Sequence, residues 1–131
     1  MAHRVKIYNE TQGVEEKTID PLIVRAAEEL KYDHSLYFAS DPATVVLPLD
    51  HLILSRAREK GIRNAVALMA KAADGKIERR KPVEVVAESM GYFRVVDGNS
   101  TATIATAAGW IDLPCIVVEE EGSEPLAQSP M

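Results

Sequence analysis

The stretch Gly91–Ala102, "GYFRVVDGNSTA", decides the fold. Tyr92 to Val96 is aromatic and β-branched apart from Arg94, the composition of a strand. Asp97-Gly98-Asn99 is a turn signal. Ser100 and Thr101 open "STATIATAAG", a short helix closed by Gly109. A strand, a sharp turn and a helix in direct succession place unpaired N–H groups at the helix start. The helix dipole adds partial positive charge there. Gly98 has no Cβ, so an anion can approach the backbone, and the Ser100 and Thr101 hydroxyls add donors. Gly98, Asn99, Ser100 and Thr101 are therefore candidate phosphate ligands. Asp97 offers the oxygen that a magnesium ion favours. The same residues also read as a plain helix start, with Asn99 or Ser100 as the N-cap and Asp97 shaping the turn.

Working outward, "KPVEVV" before the Met90-Gly91 turn reads as the strand that pairs with "YFRVV". "LPCIVV" reads as a last strand. "TVVLPLDHLIL" is strand-like, with Pro48 confining it to an edge or a strand end. Between them, "SRAREKGIRNAVALMAKAADGK" carries an apolar stripe of Ile62, Ala65, Val66, Met69 and Ala73. Gly61 is costly in a helix interior, by about 1 kcal/mol, so the helix is expected to start near Ile62 and to end at Gly75. Nearer the N-terminus, Asp20 and Pro21 are a cap and a first helical residue. They open a helix near 21–31 with Leu22, Ala26, Glu29 and Leu30 in register, widened by Ile23 and Ala27. Residues 1–18 are polar, with one short strand candidate, "RVKIY". The tail "GSEPLAQSPM" is Pro/Ser-rich and expected to be disordered.

Composition excludes several classes. At 131 residues the chain is long enough for one domain with a core. The single Cys115 rules out an intramolecular disulfide and a Cys-based zinc cluster. In its apolar strand it reads as an inert core thiol. His3, His34 and His51 show no metal spacing and read as polar surface residues; neither zinc nor haem is implied. No apolar run is long enough to span a membrane, and no secretory segment is apparent, so a cytoplasmic protein is expected. The net charge is −5. Residues 53–81 nevertheless carry nine of the 15 Lys and Arg but only three of the 20 Asp and Glu. Arg79, Arg80 and Lys81 are candidate nucleic-acid contacts within this segment. Arg56, Lys60, Arg63 and Lys71 would share one face of a continuous helix, or simply be solvated.

The order of these blocks resembles the ParB/sulfiredoxin superfamily. The resemblance rests on Gly75, Pro82-Val83-Glu84-Val85, Val95-Val96-Asp97-Gly98-Asn99, Ala105 to Gly109, and Leu113-Pro114-Cys115-Ile116-Val117. It runs from Val45 to Val118. It implies an α/β (α+β) fold, a small mixed sheet with packed helices, over residues 45–118. Residues 1–44 would be an N-terminal extension without a counterpart, and 119–131 an acidic tail. It further implies a nucleotide phosphate at the Asp97–Thr101 turn, with Arg63 and Asn64 assisting. A nucleoside triphosphate with magnesium, and NTPase or phosphotransfer activity, would follow. The chain departs from the pattern where a His-Arg or Arg-Arg pair normally opens the helix: Ser100 and Thr101 stand there, so the charge must come from elsewhere. Asn99 stands where sulfiredoxin chemistry needs its Cys. The alternative is a catalytically inactive ParB-like module that binds DNA or a protein partner through the basic 56–81 segment. A nuclease ranks lowest, since no acidic cluster is visible.

Overall fold

The computed structural model describes residues 3–9, 13–55 and 58–119. The expected C-terminal tail from residue 120 onward, and Arg56, lie outside them. A two-stranded antiparallel hairpin comes first, β1 (His3–Asn9) with β2 (Gly13–Ile19). The second of these strands was not expected; its run "GVEEKTI" is mostly polar, and it is held by pairing with β1 and by Ile19 in the core.

Helix α1 (Pro21–Glu28) starts as the sequence predicts. Asp20 Oδ1 accepts from the Leu22 N–H at 2.8 Å, and Pro21 takes the first helical position. It ends at Glu28, three residues before the expected end. Its buried face is Ile23, Val24 and Ala27, while Leu22 is 71% exposed. The core therefore lies on the flank of the expected stripe, because α1 packs against the two later helices, Glu59–Ala73 and Asn99–Ala107.

One segment supplies both margins of the main sheet. β3 (Val45–Pro48) runs into a single 3₁₀ turn, Leu49–His51, and then into the two-residue strand β4 (Leu52–Ile53). The remaining strands are β5 (Val83–Ala87), β6 (Phe93–Asp97) and β7 (Asp112–Val117), in the order β3-β7-β5-β6-β4. β3 and β4 are thus consecutive in the chain and at opposite edges, which requires the five-stranded sheet to curl. Pro48 ends an edge strand, where its missing N–H breaks no ladder. β5 pairs antiparallel with β6 and parallel with β7, so the sheet is mixed. "KPVEVV", "YFRVV" and "LPCIVV" lie side by side as the sequence predicts.

One further helix sits against this sheet and another packs on that helix. Helix α2 spans Glu59–Ala73, beginning three residues earlier than expected and with Gly61 in its first turn. Gly61 is tolerated because α2 meets the next helix there: a Cβ on Gly61 would lie 3.0 Å from Ser100 Oγ. Its buried residues are Ile62, Ala65, Val66, Met69 and Ala72, one position off the expected Ala73. Helix α3 (Asn99–Ala107) is buried nearly all round, at Thr101, Ala102, Thr103, Ile104, Ala105 and Ala107. That explains a composition of small and Thr residues with weak helix propensity. Tertiary packing on the sheet, α1 and α2 holds it.

Residues of the expected extension join the same core. Val5, Ile19, Ile23, Tyr37 and Phe38 cluster with Val85, Ile104 and Leu113. A second tie is polar. Tyr32 donates to Asp112 Oδ1, and His34 Nε2 lies 3.2 Å from the same oxygen. Tyr32 also stacks on Trp110 at 5.5 Å between centroids. His34 is therefore a partly buried partner of Asp112, not the free surface residue expected from sequence. Among the described residues no helix is long and apolar enough to cross a membrane.

Candidate functional site

The turn after β6 is built around one backbone conformation. Gly98 has φ +100° and serves as the N-cap of α3. A Cβ at Gly98 would lie 3.0 Å from Val83 Cγ2, so the turn needs both the left-handed φ and the absent side chain. Among the described residues no side chain caps the helix. This differs from the plain helix start, which placed Asn99 or Ser100 at the cap. Both are inside the helix instead, at its first and second positions. The first helical bond is Ala102 N to Gly98 O at 2.9 Å, so the N–H groups of Asn99, Ser100 and Thr101 precede the ladder.

The three side chains have separate surroundings. Asn99 Oδ1 accepts from Ser55 N at 2.8 Å, and Asn99 Nδ2 donates to Val95 O at 3.3 Å. Its amide therefore fastens the chain after β4 to the end of β6. Ser100 faces Gly61 of α2. Thr101 is 1% exposed, and its hydroxyl has no hydrogen-bond partner among the described residues. Its neighbours show why. Thr103 Oγ1 donates to Asn99 O at 2.8 Å and Thr106 Oγ1 to Ala102 O at 2.9 Å, each using the carbonyl four residues back. For Thr101 that carbonyl belongs to Asp97, ahead of the turn and off the helix axis. A buried hydroxyl without a partner costs about 1–3 kcal/mol.

Thr101, Gly98 and Asp97 form one wall of a pocket of about 240 Å³. Arg80, Lys81, Pro82, Val83 and Phe38 complete its lining. The pairing of β5 with β6 causes this meeting. Glu84 is in register with Asp97, so the residues entering β5 lie beside the turn leaving β6. Arg80 is fixed by its backbone: Arg80 N donates to Tyr37 O at 2.9 Å and Arg80 O accepts from Ala39 N at 2.7 Å. Its guanidinium has no carboxylate partner among the described residues. Lys81 is 3.1 Å from Glu84 Oε2 and 3.7 Å from Asp97 Oδ2. The bond to Glu84, with the charges of both carboxylates, holds the Lys81 ammonium above the usual lysine range.

The sequence-predicted residues thus divide. Gly98, Thr101 and Asp97 meet Arg80 and Lys81 at one pocket, although the two groups were read as separate phosphate and nucleic-acid sites. Arg79 lines a different groove, with Leu36, Ser40 and Gly75. Arg63 and Asn64 are exposed on α2 and do not line the pocket. Arg63 pairs instead with Glu59 at 2.9 Å, one helical turn back. Arg94 faces Glu88, at 2.9 Å. Phe38, Pro82 and Val83 are pocket residues that the sequence did not assign to a site. Cys115 is fully buried away from the pocket, and burial pushes its thiol up to about 12. Among the described residues no three His, Cys, Asp or Glu side chains gather as a metal cluster.

No protein-family model matches the chain, and a search of curated proteins finds no match to it.

Proposed function

We propose that this chain is a phosphate-binding domain of the ParB/sulfiredoxin kind, with its ligand seated between the Asp97–Thr101 turn and Arg80. The observation that carries the reading is the buried Thr101 hydroxyl, without a partner among the described residues, at a helix N-terminus that lines the same pocket as Arg80. A phosphate oxygen would accept from Thr101 Oγ1 and from the first N–H groups of α3, a favourable end of the helix dipole. Arg80 would supply the charge for which the family pattern uses a His-Arg or Arg-Arg pair at the positions of Ser100 and Thr101. Lys81 would contribute less, since it already serves two carboxylates.

A nucleotide fits this reading as a phosphate group within the pocket and the remainder toward Phe38 and solvent. Magnesium would fit as an ion carried by the phosphate. Asp97 and Glu84 offer carboxylate oxygens beside the pocket, and Mg²⁺ commonly takes one or two carboxylates together with phosphate oxygens and water. It would then bridge ligand and protein.

The test is thermal unfolding of the full chain against millimolar inorganic phosphate, with Arg80→Ala and Arg79→Ala as the paired variants. Phosphate is expected to raise the midpoint of the natural protein by mass action. Arg80→Ala should lose most of the shift and Arg79→Ala should keep it. Equal loss in both variants would mean a diffuse basic surface and would favour the nucleic-acid module instead.

A further inference from the structure

We infer that the group this pocket selects is a singly charged phosphodiester and not a terminal phosphate. The inference rests on the phosphate reading above and adds the class of ligand. The ionisable side chains at the pocket come from three places. Arg80 and Lys81 enter before β5, Glu84 lies on β5, and Asp97 ends β6. α3 contributes only Thr101 to the lining, and the residues near Phe38 contribute no charge to it. One ammonium, that of Lys81, sits between two carboxylates at 3.1 and 3.7 Å. Arg80 then brings the group to zero net charge. The helix end adds only about half a positive charge. A monoanion comes nearer to that balance, leaving about half a negative charge where a dianion leaves about one and a half. A dianion leaves an uncompensated negative charge next to Asp97, which lines the pocket directly beside Gly98.

The lining agrees with the charge. Phe38, Pro82 and Val83 line the pocket with carbon and no charge, although each is itself buried. A diester presents carbon on two of its oxygens to such a lining. Two sources share this chemistry, a cyclic nucleotide and a nucleic-acid strand.

The experiment compares three ligands with one nucleoside: a cyclic monophosphate, a linear dinucleoside monophosphate and the 5′-monophosphate. Binding to the full chain is measured by calorimetry with a chelator present. At about pH 8 the monoester is a dianion, and at about pH 5.5 it is largely a monoanion, because its second pKa is about 6. At about pH 8 at least one diester is expected to bind about tenfold tighter than the monoester. That is the factor one like charge imposes at ~6 Å with an effective dielectric of ~40. The gap should close at about pH 5.5, with the diester unchanged. Asp97→Asn should narrow it at about pH 8. Preference for the cyclic or the linear diester identifies the source. A monoester that binds as tightly as both diesters at about pH 8 overturns the inference, and so does a gap unaffected by Asp97→Asn. Binding of inorganic phosphate or monoester alone also overturns it while leaving the phosphate reading intact. If none of these ligands binds, the phosphate reading itself fails.

Discussion

Replacing Thr101 with Val should make the protein more stable and its pocket worse. The two side chains have the same shape and both are β-branched, so helix propensity hardly changes. What changes is one hydroxyl that is buried and has no partner among the described residues. Leaving such a group unsatisfied costs about 1–3 kcal/mol. Removing it in favour of a methyl should recover about 1–2 kcal/mol, or about 3–8 °C in the unfolding midpoint for a domain of this size. With phosphate the sign reverses. A hydrogen bond to a charged group contributes about 1.5–3 kcal/mol, so the variant should bind phosphate about tenfold to a hundredfold more weakly. Urea and thermal unfolding with and without phosphate would show both effects as curves that cross. Thr103→Val is the control. Its hydroxyl already donates to Asn99 O at 2.8 Å, so the loss should be about 0.5–1.5 kcal/mol with no gain. A Thr101→Val protein less stable than the natural one in plain buffer would refute the reasoning. Such a result would mean that the hydroxyl has a partner within the fold. An undiminished phosphate shift would show that the hydroxyl does not face the ligand.

Gly98→Ala should lose about 1–3 kcal/mol, from φ +100° and the 3.0 Å approach to Val83, measured by urea unfolding; a neutral result would mean the turn relaxes freely. Gly61→Ala alone should be neutral or destabilising, because its Cβ meets Ser100 Oγ at 3.0 Å. In a Ser100→Ala background the same change should stabilise by roughly 0.5–1 kcal/mol, the ordinary helix gain of Ala over Gly; additive effects would show that the two residues do not meet. Cys115 should resist thiol reagents in the native state, and its raised pKa fixes the sign of a pH effect. The unfolded thiol loses its proton near 9.0 and the folded one at about 12. Between those values the native state holds the extra proton, so Cys115 favours folding below about 9 and this contribution is lost as pH rises toward 12. Cys115→Ala should flatten that alkaline decline, and native-state labelling as fast as in urea would contradict the burial.

Much of the framework could be read from the sequence because its signals are local. Asp20-Pro21 announces a helix start through chemistry at two adjacent residues, and the observed cap uses both. The three central strands are bounded by Gly and Pro and carry β-branched runs, so their identity needed no tertiary information. The misplaced features depend on neighbours. Leu22 fits the helical period as well as Val24 does, and only the placement of α2 and α3 against α1 decides which is buried. Gly61 looks like a helix breaker until Ser100 of another helix is placed against it. The site was legible in pieces. Gly98 and Thr101 were identified from the turn, and Arg80 and Lys81 from charge. Their meeting was available in principle, since an antiparallel β5–β6 hairpin must bring the entry of one strand beside the exit of the other. Phe38 was not available, because it arrives through a long-range bridge to Arg80.

The segment from Val45 to Ile53 acts as a strap around the sheet. Its two strands grip opposite margins, and three residues connect them. Movement at either margin therefore acts on the same short link. The buckle of this strap is the Asn99 amide, which holds Ser55 just past the second grip and belongs to the first turn of the site helix. Tightening that helix tightens the buckle. Amide hydrogens along Val45–Pro48, far from the pocket in sheet order, should then exchange more slowly when the turn at Gly98 is occupied, and in step with those of Leu52 and Ile53.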